Sequence, residues 1–232
     1  AAHPVGRERT AVGQKMTHPV DRGIDGKRAG VGGIERVDDM GRDCRNEGVD
    51  STHSPEFTTR ECYEAWADQF VMAERIKEII LDAADAVGVG RTLQTDAGEI
   101  SLDGDWAWVS VYPGLSEAVG QEVTPDTSLE VLREIAQKHE VKIDPKWDAE
   151  KLAVELFGEI VEPTLLNPTF VYDYPPPAQP LARPHRNDGR LIEAWDLLIG
   201  GLERGPAFSA LSDPVITRER LTEQSRPAAA AD

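Results

Sequence analysis

Cysteine is scarce in these 232 residues: Cys44 and Cys62 stand apart, in polar or amphipathic surroundings and without CxxC spacing. That pattern excludes a disulfide-stapled scaffold and a thiolate zinc cage, and both residues read as reduced thiols. Long apolar runs are missing too. No stretch of eighteen apolar residues occurs, so a membrane-spanning helix is not expected. The opening AAHPVGRERTAVGQKM has no apolar segment of the kind a secretory leader carries, and the expected location is the cytoplasm. Basic charge is the third shortage. Lys and Arg number 25 against 42 Asp and Glu, a formal charge of −17. Residues 1–60 carry ten of each sign, so the whole excess falls in 61–232. Phosphate contacts dominate nucleic-acid affinity, so this part is not expected to grip a polynucleotide tightly by itself. A nucleotide, held by a few local arginines and a divalent cation, remains compatible.

What is present suits one ordinary globular domain, or one with an appendage: 40% of residues are hydrophobic and 29% charged. The first thirty residues show neither helical nor strand period, and 1–31 is expected to be a poorly ordered segment. Structure is expected from Gly32 onward. Residues 34–45 read as a strand, 45–56 as a long charged loop, and 57–66 as the returning strand of a hairpin. From Phe70 to Val87 the apolar residues Ile76, Ile79, Ile80, Ala83 and Val87 recur at helical spacing. Residues 98–111 alternate around a Gly-Asp turn and read as two short strands. Asp126-Thr127 and Asp144-Pro145 read as the starts of helices reaching His139 and Val161. Residues 168–183 read as a strand followed by a rigid proline-rich connection, and 191–202 as a second apolar extended run. Pro214 opens a final helix, with 225–232 as a disordered tail. Strands at both ends with helices inserted over roughly 70–160 give an α+β fold, mainly antiparallel.

The chemistry-bearing stretch is the loop Arg45-Asn46-Glu47-Gly48, followed by His53 and Pro55-Glu56-Phe57. An arginine can fork two phosphate oxygens, a carboxylate can orient an amine or a cation, and a phenylalanine offers its face to a base. On its own, RNEG also fits an ordinary solvated loop. The longer string GRDCRNEGVDSTHSPEFTTRECYEAWAD resembles motif 2 of the class II lysyl-tRNA synthetases, a strand, loop and returning strand that hold ATP. LFGEIVEPTLLNPTFVYDYPPPAQPLARPHRNDG resembles the later core of that family, and WDLLIGGLERGPAFSALSDPVITRERLTEQ the part supplying metal ligands and amino-acid contacts. The three blocks run in order from about Gly32 to Gln224. The resemblance therefore implies that 32–224 is a partial class II synthetase catalytic domain.

Several roles follow from the resemblance alone. Arg45 would be catalytic, touching the ATP α-phosphate and the lysine carboxylate and stabilising the charge that develops as one attacks the other. Glu47 and His53 would meet ATP, and Phe57 would stack under adenine. Glu61, Tyr63 and Phe208 would line the lysine pocket. Asp196 and Glu203 would hold Mg2+ against the phosphates, as oxygen ligands suit a hard cation. Lysine, ATP and tRNA are the implied partners, and the family forms homodimers. Departures are also legible. Gly23 and Ala210 stand where the family places glutamates that bind lysine, and Pro206 replaces a polar residue. The family's anticodon-binding domain, motif 1 and motif 3 find no counterpart in the string. Three readings result: an ATP-dependent lysine–tRNA ligase, a catalytically inactive remnant or paralogue that at most binds a nucleotide or a partner, or a free-standing synthetase-like enzyme that attaches lysine or an analogue to a protein.

Overall fold

A computed structural model describes residues 5–9, 14–18, 23–44 and 54–229, with side chains over 23–44 and 54–222. The chain divides into two compact units, Ala1–Ala67 and Asp68–Asp232.

In the first unit β1 (Val5–Arg9) pairs antiparallel with β2 (Gln14–His18), and α1 (Gly23–Val31) follows. A second antiparallel ladder joins β3 (Arg36–Cys44) to β4 (Glu56–Glu64), in unbroken register from Arg36 opposite Glu64 to Cys44 opposite Glu56. This is the strand–loop–strand hairpin expected over 34–66. Ion pairs stitch it across the strands, with Arg60 forking Asp38 at 2.8 Å on both arms and Arg36 meeting Glu64 at 3.0 Å. These pairs are half-exposed and contribute little stability individually. Regular structure before Gly32 goes against the expectation of a poorly ordered segment. The missed signal is contact with β4, since α1 has no apolar stripe and its Ile24 and Val31 are exposed. Gly26 is buried so closely that a Cβ there would lie 2.7 Å from the Tyr63 ring.

The second unit opens with α2 (Gln69–Val87), the helix that the apolar spacing predicts. Asp68 caps it by accepting from the Phe70 and Val71 amides, and Gly88 ends it in the left-handed conformation at φ 71°. Next come the hairpin β5 (Thr92–Thr95) and β6 (Gly98–Ser101), then β7 (Ala107–Ser110) and three helices. These are α3 (Val111–Val119), α4 (Leu129–Lys138) and α5 (Ala149–Ile160). β8 (Thr169–Tyr172), β9 (Ala194–Ile199), β10 (Leu202–Phe208) and α6 (Pro214–Ala229) complete the chain. The main sheet has the order β10-β9-β8-β7, antiparallel except that β7 runs parallel to β8.

Several boundaries differ from the sequence reading. The strands within 98–111 do not pair with each other: β6 pairs with β5, whose polar TLQT carries no apolar alternation, and β7 joins the main sheet. Ser128 and Asp148 are the side-chain caps of α4 and α5, while Asp144 makes a turn by accepting from the Lys146 amide. Helix α3 escapes a periodicity reading because it holds Pro113 and Gly114, yet a proline in the first helical turn displaces no intrahelical hydrogen bond. Helix α6 continues to Ala229, past the expected start of the tail.

The sheet separates two apolar clusters. On one face α3, α4 and α5 pack through Leu115, Leu132, Leu152 and Leu156 against Val171, Ala194 and Leu198. On the other, α2 and β6 contribute Ala73 and Ile100 to a group holding Trp106, Phe170, Trp195 and Leu197. Phe170 stacks on Trp108 at 4.7 Å and meets Trp195 edge-on at 4.8 Å. Helix α3 fits over α5 only because residue 114 is glycine. A Cβ there would lie 2.7 Å from Val109 Cγ1 and 3.0 Å from the Phe157 ring. Gly114→Ala is expected to cost about 1–3 kcal/mol through overpacking, read as a lower urea midpoint at unchanged m-value. Among the described residues no helix is long and apolar enough to cross a membrane.

A candidate cation and nucleotide site

Asp196 lies in the middle of β9, with Val171 of β8 on one side and Pro206 of β10 on the other. Directly opposed residues of antiparallel strands point to the same face. Phe208 opposes Ala194 and Glu203 opposes Leu198, so Asp196, Glu203 and Phe208 share one face of the sheet. This sharing depends on an irregularity. Glu203 and Pro206 are three residues apart and would alternate to opposite faces in a regular strand. The register shifts between Glu203 and Gly205, leaving Arg204 as an extra residue. A bulge of this kind re-aims the side chains beyond it. Here it turns Glu203 to the side of Asp196, while the Arg204 guanidinium donates to the Ile199 carbonyl at 3.2 Å.

The electrostatics of that face are one-sided. Burial, reinforced by the negative charges of Glu203 and Glu162, pushes the Asp196 carboxyl up to about 7. The opposing influence is a hydrogen bond from the Tyr174 hydroxyl, and among the described residues no lysine or arginine contributes to holding the charge. Tyr174 is buried, and its own proton is held far above the usual phenol range by that burial and by the adjacent Asp196. Glu162, in a 3-10 turn after α5, is raised by burial and then by Glu203 and Glu155. Carboxylates that repel one another without a basic partner are suited to a hard cation. Among the described residues no group of three or more His, Cys, Asp or Glu is spaced to hold a metal. The Asp196–Glu203 pair thus offers oxygen donors of the kind a hard divalent cation takes, and does not by itself form an all-protein cage.

In the first unit Phe57, Glu61 and Tyr63 alternate along β4 and share a face. Asp43, opposite Phe57, is buried and accepts from the Thr59 hydroxyl. The Tyr63 ring lies under Gly26 of α1, with the Lys27 ammonium 5.9 Å from its centre, so its described contact is a packing one. Gly23 is likewise buried at the start of α1. Arg45, Glu47 and His53 lie outside the described residues. In the second unit Phe208 is half-buried against the helical cluster, and Ala210 is exposed just beyond β10, bridging to Ala182. The sequence reading overlooked Tyr174 and Glu162. A tyrosine inside a buried strand end needs a polar partner for its hydroxyl, which was the available signal for Tyr174. Glu162 carried none, because its proximity arises from the turn after α5.

The family model for the class II tRNA synthetases (D, K and N) matches residues 27–231. A lysine–tRNA ligase of Mycolicibacterium gilvum is 44% identical over 209 residues, and one of Kineococcus radiotolerans is 42% identical over 208. Each match covers 89% of this chain and 42% of the relative. The lysylphosphatidylglycerol biosynthesis bifunctional protein LysX of Mycobacterium ulcerans is 42% identical over 211 residues, again 89% of this chain but 19% of that protein. The chain therefore spans less than half the length of these relatives, and with the family model matching nearly nine-tenths of it, it belongs to the class II tRNA synthetases of the D, K and N group.

Proposed function

We propose that this chain is part of the catalytic core of a lysine–tRNA ligase, which activates lysine with ATP to lysyl-adenylate and pyrophosphate and then transfers the lysyl group to the 3′ end of tRNA. The observation that carries the reading is the acidic pair. Asp196 and Glu203 share one face through the Arg204 bulge, and among the described residues no basic group contributes to the Asp196 electrostatics. Both residues would hold magnesium, which when bound supplies positive charge to the ATP phosphates and makes pyrophosphate a better leaving group. Tyr174 orients the Asp196 carboxylate by donating its proton and shields it from water. Arg45 forks the α-phosphate and the lysine carboxylate, which aligns attacker and target and stabilises the pentacovalent charge. Glu47 and His53 meet the nucleotide, and Phe57 supports adenine. Glu61 and Tyr63 in the first unit and, separately, Phe208 in the second are the candidate contacts for the amino acid.

A second reading has one specific observation in its favour. Ala210 cannot pair with an ammonium, and the loss of a carboxylate that does so removes several kcal/mol of selectivity. A remnant of this type would bind Mg-ATP without turning over lysine. Lysine-dependent exchange of labelled pyrophosphate into ATP, run beside a thermal shift with Mg-ATP, separates the two. Exchange supports the ligase, stabilisation without exchange supports the remnant, and neither signal in folded protein defeats both.

A further inference from the structure

On the reverse face of the sheet, behind Phe208, lies a buried polar network that the chemistry above does not use. Glu193, immediately before β9, is 1% exposed. Its carboxylate takes a two-armed contact from Arg186, Nε to Oε1 at 2.6 Å and Nη2 to Oε2 at 3.2 Å, and its charge is favoured first by Arg186 and further by the Ser209 hydroxyl. Ser209 is buried as well, and its oxygen accepts the backbone amide of Gln69 at 3.2 Å. The Gln69 carbonyl in turn accepts the Trp195 indole N–H at 2.7 Å. Arg186 also lies 3.7 Å from Asp68, the cap of α2.

Ser209 is the knot of this network. Its amide donates to the Glu193 carbonyl at 2.9 Å, and its carbonyl accepts from the Arg183 amide at 2.8 Å. The start of β9, the 181–183 segment and the head of α2 thus meet at one residue, the first two through its backbone and the third through its hydroxyl. Phe208 and Ala210 flank it and project to the opposite face, the one that carries Asp196 and Glu203. A buried carboxylate is a poor source of net stability, since an apolar replacement of equal volume often serves as well or better. What it adds is direction. The Ser209 hydroxyl, set between the Glu193 carboxylate and the Gln69 amide, is held in one rotamer, and it reinforces the backbone bonds that align Phe208–Ala210 with β9 and the 181–183 segment.

We propose that Glu193, acting through Ser209, is a positioning residue for the amino-acid pocket: it fixes Phe208 from behind the sheet without touching substrate. The inference rests on the reading of Phe208 as a pocket wall. Its test separates the two claims. The chain is labelled with 4-fluorophenylalanine at its five phenylalanines, and the Phe208 resonance is assigned by its loss in Phe208→Leu. Ser209→Ala, Ser209→Thr and Glu193→Gln are then compared by fluorine NMR, and lysine and Mg-ATP affinities by calorimetry. The expected result is a displaced or broadened Phe208 signal and about tenfold weaker lysine binding in Ser209→Ala and Glu193→Gln, the effect of one lost buried hydrogen bond. Mg-ATP affinity should stay unchanged, and Ser209→Thr should restore the wild-type signal. Should Glu193→Gln fail to fold, Ser209→Ala decides the matter alone. An unmoved Phe208 resonance in folded Ser209→Ala overturns the proposal. A moved resonance in a protein whose wild type binds no lysine leaves the positioning intact and removes the pocket reading instead.

Discussion

Asp196→Asn is expected to make the metal-free protein more stable at pH 8 while abolishing magnesium-dependent activation of lysine. The two effects share one cause. Folding raises this carboxyl from its ordinary 3.8 to about 7, so the folded state holds a proton that the unfolded state has already released. Stability of the metal-free protein therefore falls as pH climbs from about 4 through about 7, and above that the ionised carboxylate remains as an unrelieved cost on the order of a few kcal/mol. Asparagine keeps an oxygen for the Tyr174 hydroxyl and carries no charge, so it removes the cost and the pH dependence together. The thermal midpoint at pH 8 should rise by several degrees, with little change at pH 4. On the proposed ligase reading, pyrophosphate exchange should drop at least about a hundredfold, because the proposed metal ligand would be lost. In the wild type, magnesium affinity should increase as pH passes 7, since the ion must displace that proton. A variant that is no more stable at pH 8 than its parent would show that Asp196 is not buried against its acidic neighbours.

The largest purely structural effect is expected from Trp195→Ala. Trp195 is 2% exposed, meets Phe170 edge-on and donates its indole proton to the Gln69 carbonyl. Removing it empties the centre of one core and leaves that carbonyl without its donor. The loss should be about 3–5 kcal/mol, or roughly ten degrees of thermal midpoint for a unit of this size. Differential scanning calorimetry reads it directly. A shift of only a degree or two would mean that α2 and β9 are not joined through this ring.

The hairpin of the first unit and helix α2 are legible in the sequence because alternation and helical spacing are local properties of the chain. Asp196, Glu203 and Phe208 are legible as chemistry through resemblance, but their common face is not. Counting residues from Glu203 to Pro206 predicts opposite faces, and only the pairing with β9 reveals the extra residue between them. Helix α3 is hidden for a similar reason, since Pro113 and Gly114 look like a turn until the close approach of Val109 and Phe157 explains the glycine. Helix α1 packs on both strands of the hairpin, most closely where Gly26 meets Tyr63, and no pattern within residues 23–31 announces that packing. Tyr174, Glu162 and Glu193 become conspicuous only through their neighbours, as partners in burial separated in sequence by turns and whole strands.

The extra residue at Arg204 turns chain length into chemistry. Excising it would shorten the Glu203–Pro206 spacing to two residues, and a regular strand would then still present Glu203 on the side of Asp196. Drawing Arg204 into the ladder without the bulge would instead turn Glu203 to the reverse of the sheet, as surely lost as if it had been replaced by alanine. For this strand the acidic pair survives the loss of a residue and fails by the regularisation of a bulge, a change that no substitution at either carboxylate would record.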